Sequence, residues 1–299
     1  MNWTLLSILS FTLSWAGIWI VARRFSDRFI DVPNQRSSHT LPTPRGGGIA
    51  FVAAFLVTAA LASILVREGS DGTPSLVEGS IFVLFPLWAV GTVDDARGLS
   101  VRFRYFVQLF AAGLAVFFFG SFPGFDAILG QLGAPWLTAV LSVIAITALI
   151  NFYNFMDGLD GLVGGCCAVQ LAFFALYLQQ PSWWLLVAAL IAFLSWNWPP
   201  ARIFMGDSGS TVLGGAVALA LLRAPDASTM WWAGAVTLPL LGDAVFTLTR
   251  RVLRRENIFE AHKSHIYQRL NQAGWSHRRV ASTYVALTIL IAVLVAAMS

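Results

Sequence analysis

Residues 151–161 read NFYNFMDGLDG and interrupt an apolar run that extends from about Ala134 to Leu178. Two carboxylates, Asp157 and Asp160, and two amides, Asn151 and Asn154, sit at the centre of this stretch. An aspartate at the middle of a membrane helix costs about 2.5–3.5 kcal/mol on insertion scales. The stretch therefore reads as a polar turn between two spans, at a membrane surface. Gly158 and Gly161 permit such a turn and let the backbone come close to a ligand. An ordinary polar loop is the plain alternative, but it would need neither two amides nor two acids flanked by aromatics.

Composition carries the same reading outward. Of 299 residues, 57% are hydrophobic and 11% charged, with a mean hydropathy of +0.72. Soluble domains carry about 25% charged residues, so the expectation is an all-α polytopic membrane protein, a single membrane-embedded domain over 1–299. Stretches of suitable length and apolarity fall near 3–22, 47–66, 77–93, 103–120, 134–152, 161–179, 182–198, 209–222, 230–249 and 280–298. The eighth is short and the ninth contains Asp243. The first reads as an uncleaved helix: it is long, it lacks a basic leader, and Arg23 and Arg24 follow it. Cys166 and Cys167 are adjacent in an apolar span and read as packing residues.

With ten spans, seventeen of the nineteen Lys and Arg fall on one side. They follow the first span (Arg23 to Arg45), the third (Arg97, Arg102, Arg104), the seventh (Arg202) and the ninth (Arg250 to Arg279). Only Arg67 and Arg223 lie opposite. Such asymmetry makes the basic side cytoplasmic and places both termini outside. The pI near 9.5 is thus a matter of topology, and nucleic acid is not an expected partner.

The polar motifs gather on the same side. The first loop, DVPNQRSSHTLPTPRGGG over Asp31–Gly48, offers Arg36, His39 and Arg45 to an anion. The second carries Asp94 and Asp95, suited to Mg²⁺ ligation or proton handling, with Arg104 beyond. The third is the opening stretch. The fourth, PPARIFMGDSGS over Pro199–Ser210, runs Asp207 into the eighth span. Exposed amides at that helix start, and after Asp157 at the sixth, suit phosphate. The fifth ends HKSHIYQRL, where His262 and His265 would share one helix face. Asp243 is left open: a buried partner for an Arg, or an acid near the site.

These residues resemble, in order and over nearly the whole chain, the polyprenyl-phosphate N-acetylhexosamine-1-phosphate transferases. Asp94-Asp95 looks like the family's Asp-Asp pair, NFYNFMDGLDG like its NxxNxxDGxDGL segment, and Asn197 with PPARIFMGDSGS like its third motif. The resemblance implies a ten-helix fold with a cytoplasmic-facing Mg²⁺ site, Mn²⁺ serving as a substitute. It makes Asp207 a metal ligand, with Asp157 in the metal or nucleotide-sugar shell. It puts Phe204 on the uracil and has Asn154, Asp157, Asp160 and Asn197 line the nucleotide-sugar site, beside Asn151. Arg104 and His39 stand where the peptidoglycan translocase of the family has lysines. The fifth loop lacks that translocase's three consecutive histidines, which points instead to a branch that initiates O-antigen or other surface polysaccharides.

The implied reaction takes a UDP-N-acetylhexosamine and undecaprenyl phosphate to polyprenyl-diphosphate-sugar and UMP, in the bacterial inner membrane, and leaves room for a homodimer. Asp207 would hold Mg²⁺, while Arg104, His262 and His265 add positive charge. Asp94 is the candidate base, although a phosphate monoester with a second pKa near 6 needs little help. The alternatives are the phospho-MurNAc-pentapeptide transferase reaction and, in another class, an ion-coupled transporter, since membrane acids and broken helices also mark carriers.

Overall fold

The computed structural model describes residues 3–24, 30–31, 42–65, 75–130, 133–257 and 262–298. Each of the ten apolar stretches folds as helix. In chain order the elements are α1 (Trp3–Arg24), β1 (Ile30–Asp31), β2 (Thr43–Pro44), α2 (Gly47–Leu65), α3 (Leu76–Arg97), α4 (Val101–Phe119) and α5 (Pro123–Leu129). There follow α6 (Pro135–Met156), α7 (Leu162–Tyr177), α8 (Trp183–Asn197), α9 (Asp207–Leu222), α10 (Ala227–Gly234), α11 (Leu238–Leu253), α12 (Ile266–Gln272) and α13 (His277–Met298). The two short strands pair antiparallel, Ile30 with Pro44 and Asp31 with Thr43.

Among the described residues seven helical segments are long and apolar enough to cross a membrane. α7, α8 and α9 are shorter, at 16, 15 and 16 residues. At 1.5 Å per residue they reach about 24 Å, less than the roughly 30 Å of a hydrocarbon core. The ninth stretch is broken: α10 passes through a single 3-10 turn, Ala235–Thr237, into α11. Pro239 sits in the first turn of α11, where its missing amide is tolerated. The 121–133 region, read as a plain connector, holds a helix, α5, and the fifth loop holds α12.

The bundle is built around α9. Every residue from Ser208 to Leu222 is buried, and beyond Thr211 the helix is Gly, Ala, Val and Leu on every face, the pattern of a helix enclosed on all sides. It packs against α2, α3, α6 and α7. Small residues set the separation at its start. A Cβ on Gly91 of α3 would lie 2.6 Å from the Ser208 Cα, and one on Gly48 of α2 would collide with the Gly209 backbone. The outer helices instead leave Leu5, Ile8, Phe106, Phe117 and Leu290 exposed, an apolar surface that suits lipid. Cys166 and Cys167 are free and buried.

Candidate active site

The first turn of α9 organises the site. Asp95, near the end of α3, accepts the Asp207 amide at 2.9 Å and the Ser208 amide at 3.1 Å. Gly206 has φ +76°, and a Cβ there would stand 2.5 Å from the Asp95 Oδ2. The amides of Gly209 and Ser210 both donate to the Gly206 carbonyl at 3.1 Å. All four amides are therefore satisfied within the protein, which corrects the expectation that this helix start is open to phosphate. A carboxylate already complements the helix dipole. At the start of α7, Asn197 Oδ1 accepts the Gly161 amide at 2.9 Å.

Asn197 and Asp160 are engaged with the protein in the same way. Asn197 is buried, and its Nδ2 donates to the Ile203 carbonyl at 2.9 Å. Asp160 Oδ2 accepts the Ala201 amide at 3.1 Å and lies 3.2 Å from His277 Nδ1. Together they clamp the 157–161 turn to the 197–203 segment, so they shape the site more directly than they face a ligand.

Four expected residues do converge. Arg104 Nη1 donates to Asp207 Oδ2 at 2.7 Å and to Asp94 Oδ2 at 2.8 Å. Asn154 Nδ2 donates to Asp207 Oδ1 at 3.1 Å and to Ser210 Oγ at 2.9 Å. Asp94 Oδ1 accepts the Leu99 amide, so both its oxygens are engaged and it holds Arg104 in place. Arg45 pairs with Asp31 at 2.8 Å and is close enough to Asp95, Asp207 and Asp157 to act on them electrostatically. The Nε of Arg104 is buried without a partner among the described residues.

Asp157 follows the last residue of α6 and is half-buried. Among the described residues its carboxylate has no hydrogen-bond or ion-pair partner. Burial, and then the charges of Asp207 and Asp95, push it up to about 8, against the opposing pull of Arg45. Asp157 therefore holds its proton at neutral pH, and four acids, Asp94, Asp95, Asp157 and Asp207, stand beside two arginines, Arg45 and Arg104. Among the described residues no three His, Cys, Asp or Glu side chains close on one point. Two carboxylates with oxygen donors only fit Mg²⁺, which keeps several waters and takes further oxygens from substrate phosphates. The Asp207 oxygens, though engaged by Arg104 and Asn154, retain lone pairs for a cation.

Asn151 lies one turn earlier on α6. Its Nδ2 donates to Gln108 Oε1 at 2.7 Å and to the Thr147 carbonyl at 2.8 Å. Gln108 is buried, one turn along α4 from Arg104, and sequence reading passed over it. Its signal was available: an amide in an apolar stretch, four residues after a site arginine. His39 lies outside the described residues. Phe204 is half-buried, with its amide on the Pro44 carbonyl at 2.8 Å and its carbonyl taking the Gly47 amide at 2.9 Å. The fourth loop is thereby tied to the first.

The histidines depart from expectation. They do not share a helix face: His265 is the N-cap of α12 and His262 precedes it in irregular chain. Their rings still lie 5.1 Å apart. Burial, Arg251 and His265 push His262 down to about 4, so it is neutral at pH 7 and adds no positive charge. His265 is only 2% exposed and its Nδ1 lies 3.3 Å from Asp243. Among the described residues Asp243 pairs with no arginine; it accepts from the start of α12, from Thr247 and from Tyr284.

Comparison with known proteins bears on the same region. The profile of Glycosyl transferase family 4 matches residues 77–224. The chain is 31% identical over 266 residues to a probable undecaprenyl-phosphate N-acetylglucosaminyl 1-phosphate transferase of Bacillus subtilis, covering 83% of this chain and 71% of that protein. It is 30% identical to the decaprenyl-phosphate N-acetylglucosaminephosphotransferase of Mycobacterium tuberculosis, covering 83% and 70%. Similarity to a phospho-N-acetylmuramoyl-pentapeptide-transferase of Oceanobacillus iheyensis is 28%, covering 84% and 82%.

Proposed function

The chain belongs to the polyprenyl-phosphate N-acetylhexosamine-1-phosphate transferases of glycosyl transferase family 4, and from that premise we propose that it transfers an N-acetylhexosamine-1-phosphate from a UDP-sugar to undecaprenyl phosphate. The products are polyprenyl-diphosphate-sugar and UMP. The protein is a multi-pass protein of the bacterial inner membrane, with ten spans, both termini outside and the site at the cytoplasmic face. The one-sided distribution of Lys and Arg supports that orientation. Its glycan is an O-antigen or related surface polysaccharide, and its sugar is GlcNAc or an N-acetylated deoxyhexose such as FucNAc or QuiNAc. The fifth-loop sequence HKSHIYQRL supports this branch.

The observation that carries the reading is the pair of carboxyl groups, Asp157 with no partner among the described residues and Asp207 held between Arg104 and Asn154, both raised by burial and by neighbouring acids in the way a bound cation would relieve. Asp207 and Asp157 would hold Mg²⁺ or Mn²⁺, which when bound supplies charge neutralisation for a diphosphate and its leaving UMP. Arg104, fixed by Asp94, presents a rigid guanidinium to the same anion. Asn154 keeps the Asp207 carboxylate oriented. An oxygen of the lipid phosphate attacks the phosphorus bearing the sugar, and the bond from that phosphorus to the UMP oxygen breaks. The acceptor is already mostly dianionic at neutral pH, so no base is required. The two engaged oxygens of Asp94 suit that role as a buttress.

The similarity to the Oceanobacillus iheyensis protein favours a second reading, transfer of phospho-MurNAc-pentapeptide. One experiment separates them. Purified protein is given Mg²⁺, undecaprenyl phosphate and a panel of UDP-sugars that includes UDP-MurNAc-pentapeptide. UMP release with a UDP-N-acetylhexosamine is expected; release with UDP-MurNAc-pentapeptide alone would establish the second reading, and release with none would overturn both. Mg²⁺-dependent release that survives in Asp207→Ala would remove Asp207 as the essential ligand.

A further inference from the structure

Asp243 is 3% exposed and accepts five hydrogen bonds from three helices. Its Oδ1 takes the Ile266 amide at 2.8 Å and the Thr247 hydroxyl at 3.1 Å, with His265 Nδ1 at 3.3 Å. Its Oδ2 takes the Tyr267 amide at 3.0 Å and the Tyr284 hydroxyl at 2.7 Å. Thr247 belongs to α11, Ile266 and Tyr267 open α12, and Tyr284 belongs to α13. A buried carboxylate is tolerated only when so fully hydrogen-bonded, and this one fixes where α12 begins.

That position has a consequence at the site. Tyr267 is 1% exposed, and its hydroxyl donates to the Phe155 carbonyl at 3.1 Å. The same hydroxyl fills the space where a side chain at Gly158 would stand. Phe155 and Gly158 bracket Met156 and Asp157, the half-buried acid that has no hydrogen-bond or ion-pair partner among the described residues. A continuous column therefore runs from Asp243 through the backbone of α12 and the Tyr267 ring to the turn that presents Asp157. His265 stacks on Tyr267, with ring centroids 5.7 Å apart and planes inclined by 24°, and this stiffens the column.

We propose that Asp243 is a positioning residue for Asp157, acting through Tyr267 on the 155–158 turn. On this view the fifth loop serves the reaction by supporting the turn from behind, in addition to anything its side chains do toward a ligand. The proposal rests on the transferase reading for its effect on rate, while the column itself stands on geometry.

The test uses the full chain in detergent or nanodiscs, with Asp243→Asn and the milder Tyr267→Phe, which removes one hydroxyl and keeps the ring. Hydrogen–deuterium exchange is followed at residues 155–161 and, as a control turn, at 206–211. UMP release is measured on the same samples for kcat and KM. Exchange at 155–161 is expected to rise in both variants while 206–211 stays as in the wild type. Turnover is expected to fall about tenfold for Asp243→Asn and about threefold for Tyr267→Phe, with KM little changed and the double variant no worse than Asp243→Asn. Unchanged exchange at 155–161 in a folded variant would overturn the proposal whatever the rate. Raised exchange with wild-type turnover would overturn it too, because a positioning residue must move the rate. A wild-type protein that releases no UMP sinks the transferase reading alone, and the exchange comparison then still decides whether the column exists.

Discussion

The carboxylate of Asp95, near the end of α3, lies 2.9 Å from the Asp207 amide and 3.1 Å from the Ser208 amide, so one helix caps the start of another. Both oxygens accept, and the charge opposes the positive end of the α9 dipole. Asp95→Ala leaves two part-buried amides without partners and is expected to destabilise by about 1–3 kcal/mol. Asp95→Asn keeps one acceptor and should lose less. Thermal unfolding of the two variants in detergent checks the order; equal stability of Asp95→Ala and wild type would contradict the cap.

The approach of α2 and α3 to α9 depends on missing side chains. Gly91→Ala would put a methyl 2.6 Å from the Ser208 Cα, and Gly48→Ala would run into the Gly209 backbone. Overpacking of this kind costs about 1–3 kcal/mol, and here it would also displace Asp207. Gly113 and Gly242 have open space around them. Alanine at either is expected to be neutral, or stabilising by up to about 1 kcal/mol from helix propensity. A thermal-shift series over the four alanine variants tests the contrast.

Asp157 gives the metal-free protein a pH signature. Its folded value is about 8, raised above an unfolded value of about 4. The folded state therefore holds this proton more tightly than the unfolded one. The resulting stability is full below about pH 4 and is lost as pH rises through about 8. In EDTA, the melting temperature should fall across that window, and Asp157→Asn should flatten the slope. If Asp157 takes up a divalent cation, Mg²⁺ binding at neutral pH releases a proton. Calorimetry in buffers of different ionisation enthalpy would detect it, and the variant should not show it.

Arg104 joins Asp94 to Asp207 through one nitrogen. Charge-assisted hydrogen bonds are worth about 1.5–3 kcal/mol each. Arg104→Gln is therefore expected to lower kcat/KM for the UDP-sugar by about 10- to 100-fold. Arg104→Lys keeps the charge without the fork and should fall between that variant and the wild type. Steady-state UMP release measures all three, and equal rates for the Lys and Gln variants would show that charge is not what Arg104 contributes.

Much of this could be read from residue types alone. Asp157, Asp207, Asn154 and Arg104 were picked out by the polar motifs and by the family resemblance, and the fold brings Arg104, Asn154 and Asp207 within hydrogen-bond reach of one another. Other residues are engaged by the fold itself. Asn197, Asp160 and Asp95 carry the same chemistry as a ligand-binding group, yet their partners are backbone amides far away in sequence. The two histidines were paired by helical spacing, but His265 ends the irregular chain and starts the helix. Gln108 was overlooked because its partner, Asn151, lies on another helix.

The sequence by itself determined that the chain is a bundle of apolar helices and that its polar turns fall at one end, because hydropathy and charge placement are local properties that a bilayer reads segment by segment. Only the tertiary structure decided which acids are open and which are engaged. A carboxylate's role depends on which amides and cations the fold brings within 3 Å, and residues such as Asp243 and Tyr267, or Asp95 and Ser208, meet only when the helices pack. The stretch 151–161 shows both: its polarity marked it as a turn, and its packing left Asp157 open while Asp160 was drawn into the frame.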